Sequence, residues 1–130
     1  MTTMAKTAIL MTVVAGALAT GGGAAAKGNT LDGRSFATLL GDKGKPGTEG
    51  EVLTFKSGKF HSKACDGFGF GDGAYSATTA GGVTTFDADT ASAKEGKMHW
   101  HGTVQGDRVE GTYVWTKSGQ APVEGWFKTK

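Results

Sequence analysis

The stretch "KMHWHGTVQGDRVEGTYVWTK", Lys97 to Lys117, decides the fold. With Gly106 and Asp107 as a two-residue turn, antiparallel pairing sets Val104 against Val109 and Gly102 against Gly111. It also sets Trp100 against Tyr113 and Met98 against Trp115. Side chains alternate across a strand, so every bulky apolar residue except Val114 then shares one face. His99, His101, Thr103, Glu110 and Thr112 share the other. A slip of one residue would scatter both sets, so the register is specified by the pattern itself.

The same period of two runs outward in both directions. "LTFKSGKFHS", Leu53 to Ser62, reads as a hairpin around Ser57 and Gly58 with Phe55 opposite Phe60. "AYSATTAGGVTTFDAD", Ala74 to Asp89, reads as a hairpin around Gly81 and Gly82 with Ala77 opposite Phe86. A strand over 35–40 opens the domain and one over 123–128 closes it, with either Trp126 or the Val123 and Phe127 pair facing inward. The other strands are expected at 51–56, 59–64, 74–79, 83–89, 97–104 and 108–116. Short connections make sequence neighbours antiparallel neighbours in space. An antiparallel meander of eight strands with one apolar face closes most economically into an up-and-down barrel, which removes both exposed edges. A strongly curled sheet or a two-layer β-sandwich is the alternative. Glycine-rich Gly41 to Gly50 and the stretch before Ser35 read as longer connections.

The first 26 residues follow the plan of a secretory signal peptide, with Lys6 near the start, an apolar run from Thr7 to Thr20 and the small residues Gly21 to Ala26. An apolar run this short falls below the roughly 20 residues a membrane-spanning helix needs, so no stable membrane anchor is expected after cleavage. Cleavage after Ala26, or alternatively after Ala19, would release a periplasmic or secreted product. The first choice leaves 27–130 as one small domain. Lys6 is lost with the signal, leaving 13 basic against 12 acidic residues. A net charge so close to zero, with no basic stripe, argues against nucleic-acid binding. Every Trp, Tyr and Phe follows residue 26, while Ile is absent there, so rings must build the core. A single cysteine forbids an internal disulfide, and packing and backbone pairing must hold the fold.

"LDGRSF", the "FKSGKF" hairpin, "ACDGFGFGDGAY" and the ending "HGTVQGDRVEGTYVWTKSGQAPVEGWFK" resemble small exported bacterial proteins of uncharacterised function with a lipocalin-like, calycin-type domain. The pattern from Gly102 to Trp115 is similar to the closing hairpin of lipocalin-like barrels. The resemblance implies an all-β fold rather than an activity, because one fold hosts many functions. The Gly-x-Trp opening of true lipocalins is absent, and Phe36 follows "LDGRS" instead.

"ACDGFGFGDGAY", Ala64 to Tyr75, is the stretch richest in candidate function. Its glycines alternate, no Lys-Ser/Thr pair follows, and a strand comes next, unlike a phosphate-binding loop. Asp66 and Asp72 are too few for a calcium loop and read as turn-capping carboxylates. Phe68 and Phe70 read as a plug or lid over a barrel end. Cys65, Asp66, Phe68, Phe70, Asp72 and Tyr75 therefore form the expected ligand-binding rim, with Cys65 a partly buried free thiol. His99 and His101 share a strand face, as two metal ligands would, but need a third from His61, Cys65 or Glu110. Asp87 and Asp89 likewise share a face, as solubilising charge.

No nucleophile motif or converging acid–base set appears, so no catalytic residue and no cofactor is assigned. The expected function is an exported non-catalytic barrel that binds a small hydrophobic or aromatic ligand at its rim. The alternative is an envelope module that recognises another protein, with metal binding through the His-x-His pair as a lesser one.

Overall fold

A computed structural model describes residues 26–130. The expected signal peptide lies outside this range except for its last residue. The strands are β1 (Ala26–Gly28), β2 (Ser35–Asp42), β3 (Thr48–Lys56), β4 (Lys59–Ser62), β5 (Gly73–Ala80), β6 (Val83–Ser92), β7 (Gly96–Gln105), β8 (Arg108–Thr116) and β9 (Val123–Thr129). A 3₁₀ helix, Lys63–Phe68, follows β4. Strands β2 to β9 form a closed, antiparallel, up-and-down barrel of eight strands. Closure comes from the pairing of β9 with β2, Gly125 to Thr129 against Asp42 to Thr38. Four-residue β4 covers only the start of β5, through Gly73 and Ala74, and β1 pairs with Ala77 to Thr79 further along the same edge.

The hairpin registers follow the period-two pattern. Val104 pairs with Val109, Trp100 with Tyr113, and Met98 with Trp115. Phe55 pairs with Phe60 and Ala77 with Phe86. In β9 the ambiguity resolves in favour of Phe127, which is buried, while Trp126 packs outside against Gly41 and Gly47 and donates to the Lys45 carbonyl. Several expected boundaries shift: the strand expected over 83–89 runs on to Ser92, and the stretch before Ser35, expected as a connection, contains β1. The strand expected over 59–64 ends at Ser62, because the chain turns into the 3₁₀ helix there. The connection expected over 41–50 shrinks to 43–47, because β2 and β3 both extend into it.

The interior is a lattice of rings. Phe55 lies 4.9 to 6.2 Å, centroid to centroid, from Phe36, Phe60, Tyr75 and Phe86. Trp100 lies 5.0 Å from Phe60, 5.4 Å from Tyr113 and 5.6 Å from Phe127. Most of these pairs are edge-on or tilted, the arrangement that aromatic quadrupoles favour. The Gly102–Gly111 cross-strand pair makes room for them, since a Cβ on Gly102 would come within 2.9 Å of both Phe127 and Phe86.

The two barrel ends differ. At one, the hairpin turns at Ser57-Gly58 and Gly106-Asp107 meet the loop 29–34, and that loop buries Leu31. Gly33 donates to the Phe55 carbonyl and Phe55 N–H to the Arg34 carbonyl. The Asp32 carboxylate accepts from Gly58 N–H at 3.0 Å and from the Tyr75 hydroxyl at 2.7 Å. Arg34 reaches across to the Gly106 carbonyl at 2.6 Å. This end is plugged. The other carries the longer connections 43–47, 63–72 and 117–122, together with the short turn 93–95.

Candidate functional site: the cavity at the open end

The open end holds a cavity of about 320 Å³ lined by Leu40, Asp42, Ala64, Cys65, Phe68, Phe70, Glu95, Met98, Tyr113, Trp115 and Val123. These residues come from β2, the 63–72 segment, the 93–95 turn, β7, β8 and β9. The ladders deliver most of them: the cross-strand partners Met98 and Trp115 sit one inward step beyond the paired rings of Trp100 and Tyr113. Phe70 is buried, whereas Phe68 is 60% exposed at the mouth. Ser92 Oγ donates to the Phe68 carbonyl at 2.8 Å, and Gly69, with φ 83°, takes the left-handed conformation that ends the 3₁₀ helix.

A buried carboxylate anchors this lid from below. Glu51 is only 2% exposed, yet it accepts from Ser62 Oγ at 2.5 Å, Val52 N–H at 2.8 Å and Ala64 N–H at 2.9 Å. Three donors satisfy the charge, and Ser62 and Ala64 flank the first residue of the lid helix. Alternation in "EVLTF" places Glu51 on the same face as Leu53 and Phe55, a signal in the sequence that would have identified it.

Cys65 is a free thiol, 7% exposed, with Sγ 3.5 Å from Met98 Sδ. Burial pushes its pKa up, and the negative charges of Glu51 and Asp66 add to that, outweighing a hydrogen bond with Ser62. The thiol is a wall of the cavity rather than an activated nucleophile. Burial, followed by the adjacent Asp42 carboxylate, likewise raises the Tyr113 pKa, and its hydroxyl donates to Asp42 at 3.0 Å.

Of the six expected rim residues, Cys65, Phe68 and Phe70 line the cavity. Asp66 and Asp72 do not, and they do not cap the turn. Both face His61 on the outside of β4, Asp72 at 2.7 Å from Nδ1 and Asp66 at 2.9 Å from Nε2. An imidazolium donates at both nitrogens and so attracts both carboxylates more strongly than a backbone N–H does. Tyr75 is not at this rim either. It points to the plugged end, where Asp32 and burial hold it.

His99 and His101 project outward beside the carboxylates of β6. His99 meets Asp89 at 2.8 Å through Nδ1 and Asp87 at 3.2 Å through Nε2, and His101 meets Asp87 at 2.9 Å through Nδ1. Both His99 nitrogens are therefore engaged. Among the described residues, no three His, Cys, Asp or Glu side chains are placed to hold a metal ion. The expected partners His61 and Cys65 are committed elsewhere, to the lid carboxylates and the cavity wall.

A β-barrel module with one plugged end and one hollow end is the class that fold and site define. No protein-family model, curated protein or solved structure matches the chain.

Proposed function

We propose that this protein is an exported, non-catalytic barrel that binds one small hydrophobic ligand at its open end, in the manner of a lipocalin-like domain. The observation that carries the reading is the asymmetry of an otherwise filled interior. Rings occupy the middle, Leu31 stoppers one end, and a half-open cavity lined mainly by apolar side chains lies at the other behind a lid. A volume of about 320 Å³ falls at the small end of the range for ligand sites, which runs from about 300 to 1,000 Å³. It suits a ligand of a single ring or a short branched chain. The signal-like N-terminus supports export.

Trp115 forms part of the wall and reports occupancy. Titration with 4-bromophenol, a ring-sized heavy-atom quencher, should give saturable quenching that Trp115→Phe removes and the cavity-filling Val123→Phe weakens. Purely collisional quenching that neither substitution alters would defeat the proposal.

A second reading, recognition of another envelope protein, is favoured by Phe68, the exposed large apolar side chain of the described surface. One ring falls short of the patch that protein interfaces usually present. The same Phe68 edge would be covered by a ligand in the cavity.

A further inference from the structure

We infer that the ligand of this cavity is a small organic cation, an aryl or alkyl ammonium, rather than a neutral or acidic apolar molecule. The inference rests on the cavity being a ligand site and adds the chemical class. Four aromatic side chains, Phe68, Phe70, Tyr113 and Trp115, line the space. The charged residues that line it are Asp42 and Glu95, both acidic, and no Lys or Arg joins them. Aromatic faces attract a positive charge, most strongly when water is excluded, and carboxylates at the mouth raise its local concentration. A free carboxylate at the mouth repels a fatty or aromatic acid.

The two acids are not equivalent. Glu95 already pairs with Lys117 at 2.9 Å, so its charge is largely answered. Asp42 has no cationic partner among the described residues, where Lys43 is drawn to Glu124 instead. Its contact is the Tyr113 hydroxyl at 3.0 Å, a neutral donor that fixes the carboxylate beside an aromatic wall. Phe68, mostly exposed at the same mouth, is an aromatic ring without cover. Rings plus one uncompensated carboxylate is the chemistry that recognises an ammonium group.

Calorimetric titration of the full chain with matched probes separates the possibilities. 3-(Trimethylammonio)phenol carries the cation, 3-tert-butylphenol is its neutral isostere, and 3-hydroxybenzoate is the anion. The cation should bind at least about tenfold more tightly than the isostere, the size of a good cation–π contribution. The anion should not bind. Asp42→Asn keeps an acceptor for Tyr113 and should weaken the cation by about three- to tenfold, leaving the isostere unchanged. Added salt should weaken the cation alone, as should Glu95→Gln to a smaller degree. Equal or tighter binding of the neutral isostere overturns the choice of a cation while leaving the cavity as a ligand site. Absence of binding by both the cation and the isostere overturns the cavity reading together with it.

Discussion

The two ends of the barrel solve the same problem differently. Each must close a ring of eight strands whose interior is apolar. The plugged end does so with one aliphatic side chain, Leu31, fixed by a loop that hydrogen-bonds to β3, β4's turn and Tyr75. The open end uses a longer segment held at its edges, by Glu51 beneath, Ser92 beside and His61 outside. A plug fills space and adds stability. A lid pinned at its margins leaves space under it, and that space is the proposed ligand site.

The largest expected contrast between the ends lies in stability. Leu31→Ala should lower unfolding free energy by about 2–5 kcal/mol, the cost of a cavity in a packed core, measured by urea denaturation. Phe68→Ala should stay within about 0.5 kcal/mol of wild type, because the ring is mostly in solvent. Similar losses from the two would erase the distinction between plug and lid.

Next in size is the anchor beneath the lid. Glu51→Gln removes charge-assisted acceptance at a buried site and should cost about 1–3 kcal/mol. It should also speed the reaction of Cys65 with 4,4′-dithiodipyridine, since one of the two oxygens that accept from Ser62 and Ala64 becomes an amide nitrogen that cannot accept and the charge is gone. Destabilisation with no change in thiol access would mean that Glu51 supports the barrel without holding the lid.

The His61 clamp makes a subtler and pH-dependent contribution. Burial alone would lower the His61 pKa, but the Asp72 and Asp66 carboxylates outweigh it and hold the imidazole above its ordinary value. Lys56 and Lys59 line the same outer groove. A raised folded-state pKa means the clamp acts fully below about pH 6.5 and is lost as pH rises through the folded value. Cys65 in wild type should therefore react more slowly than in His61→Gln under mildly acidic conditions, and the two rates should converge in alkali. Taking the ratio of rates cancels the thiol's own ionisation. A ratio independent of pH would show that the clamp does not restrain the lid.

The smallest effect belongs to the barrel wall, away from both ends. The Asp89 carboxylate, first, raises the His99 pKa against the effect of burial, with Asp87 assisting. His99→Gln should therefore cost a little stability below about pH 6.5 and none in alkali. The loss should remain under about 1 kcal/mol because the pair is exposed, and thermal melts at two pH values will measure it.

Much of this architecture is legible in the residues. Trp100, Tyr113, Phe55 and Phe60 fall on one face under a two-residue period, and the turns that join them carry glycine. A register that sorts rings from histidines so cleanly leaves little freedom. The lid was harder to read. "KACDGF" has no periodicity that separates a strand end from a 3₁₀ turn, and no spacing in the sequence pairs Asp66 or the later Asp72 with a histidine on another element. Tyr75 alternates correctly to face inward, but alternation does not say which end of a tilted strand its hydroxyl reaches. Leu31, alone among polar and glycine residues, gives no pattern at all. The acids that give the cavity its sign, Asp42 and Glu95, sit where strand ladders end and meet only in three dimensions.

The seam between β9 and β2 bears on how the protein assembles. It joins residues from opposite ends of the domain, whereas most other pairings join neighbours across a short connection. Local hairpins need little loop entropy and form early, and a contact between distant segments waits for them. Leu40 and Val123 flank that seam and also line the cavity. The pocket is thus among the last features to exist during folding, and a chain that has made all its hairpins still lacks a closed cavity wall until its first and last staves meet.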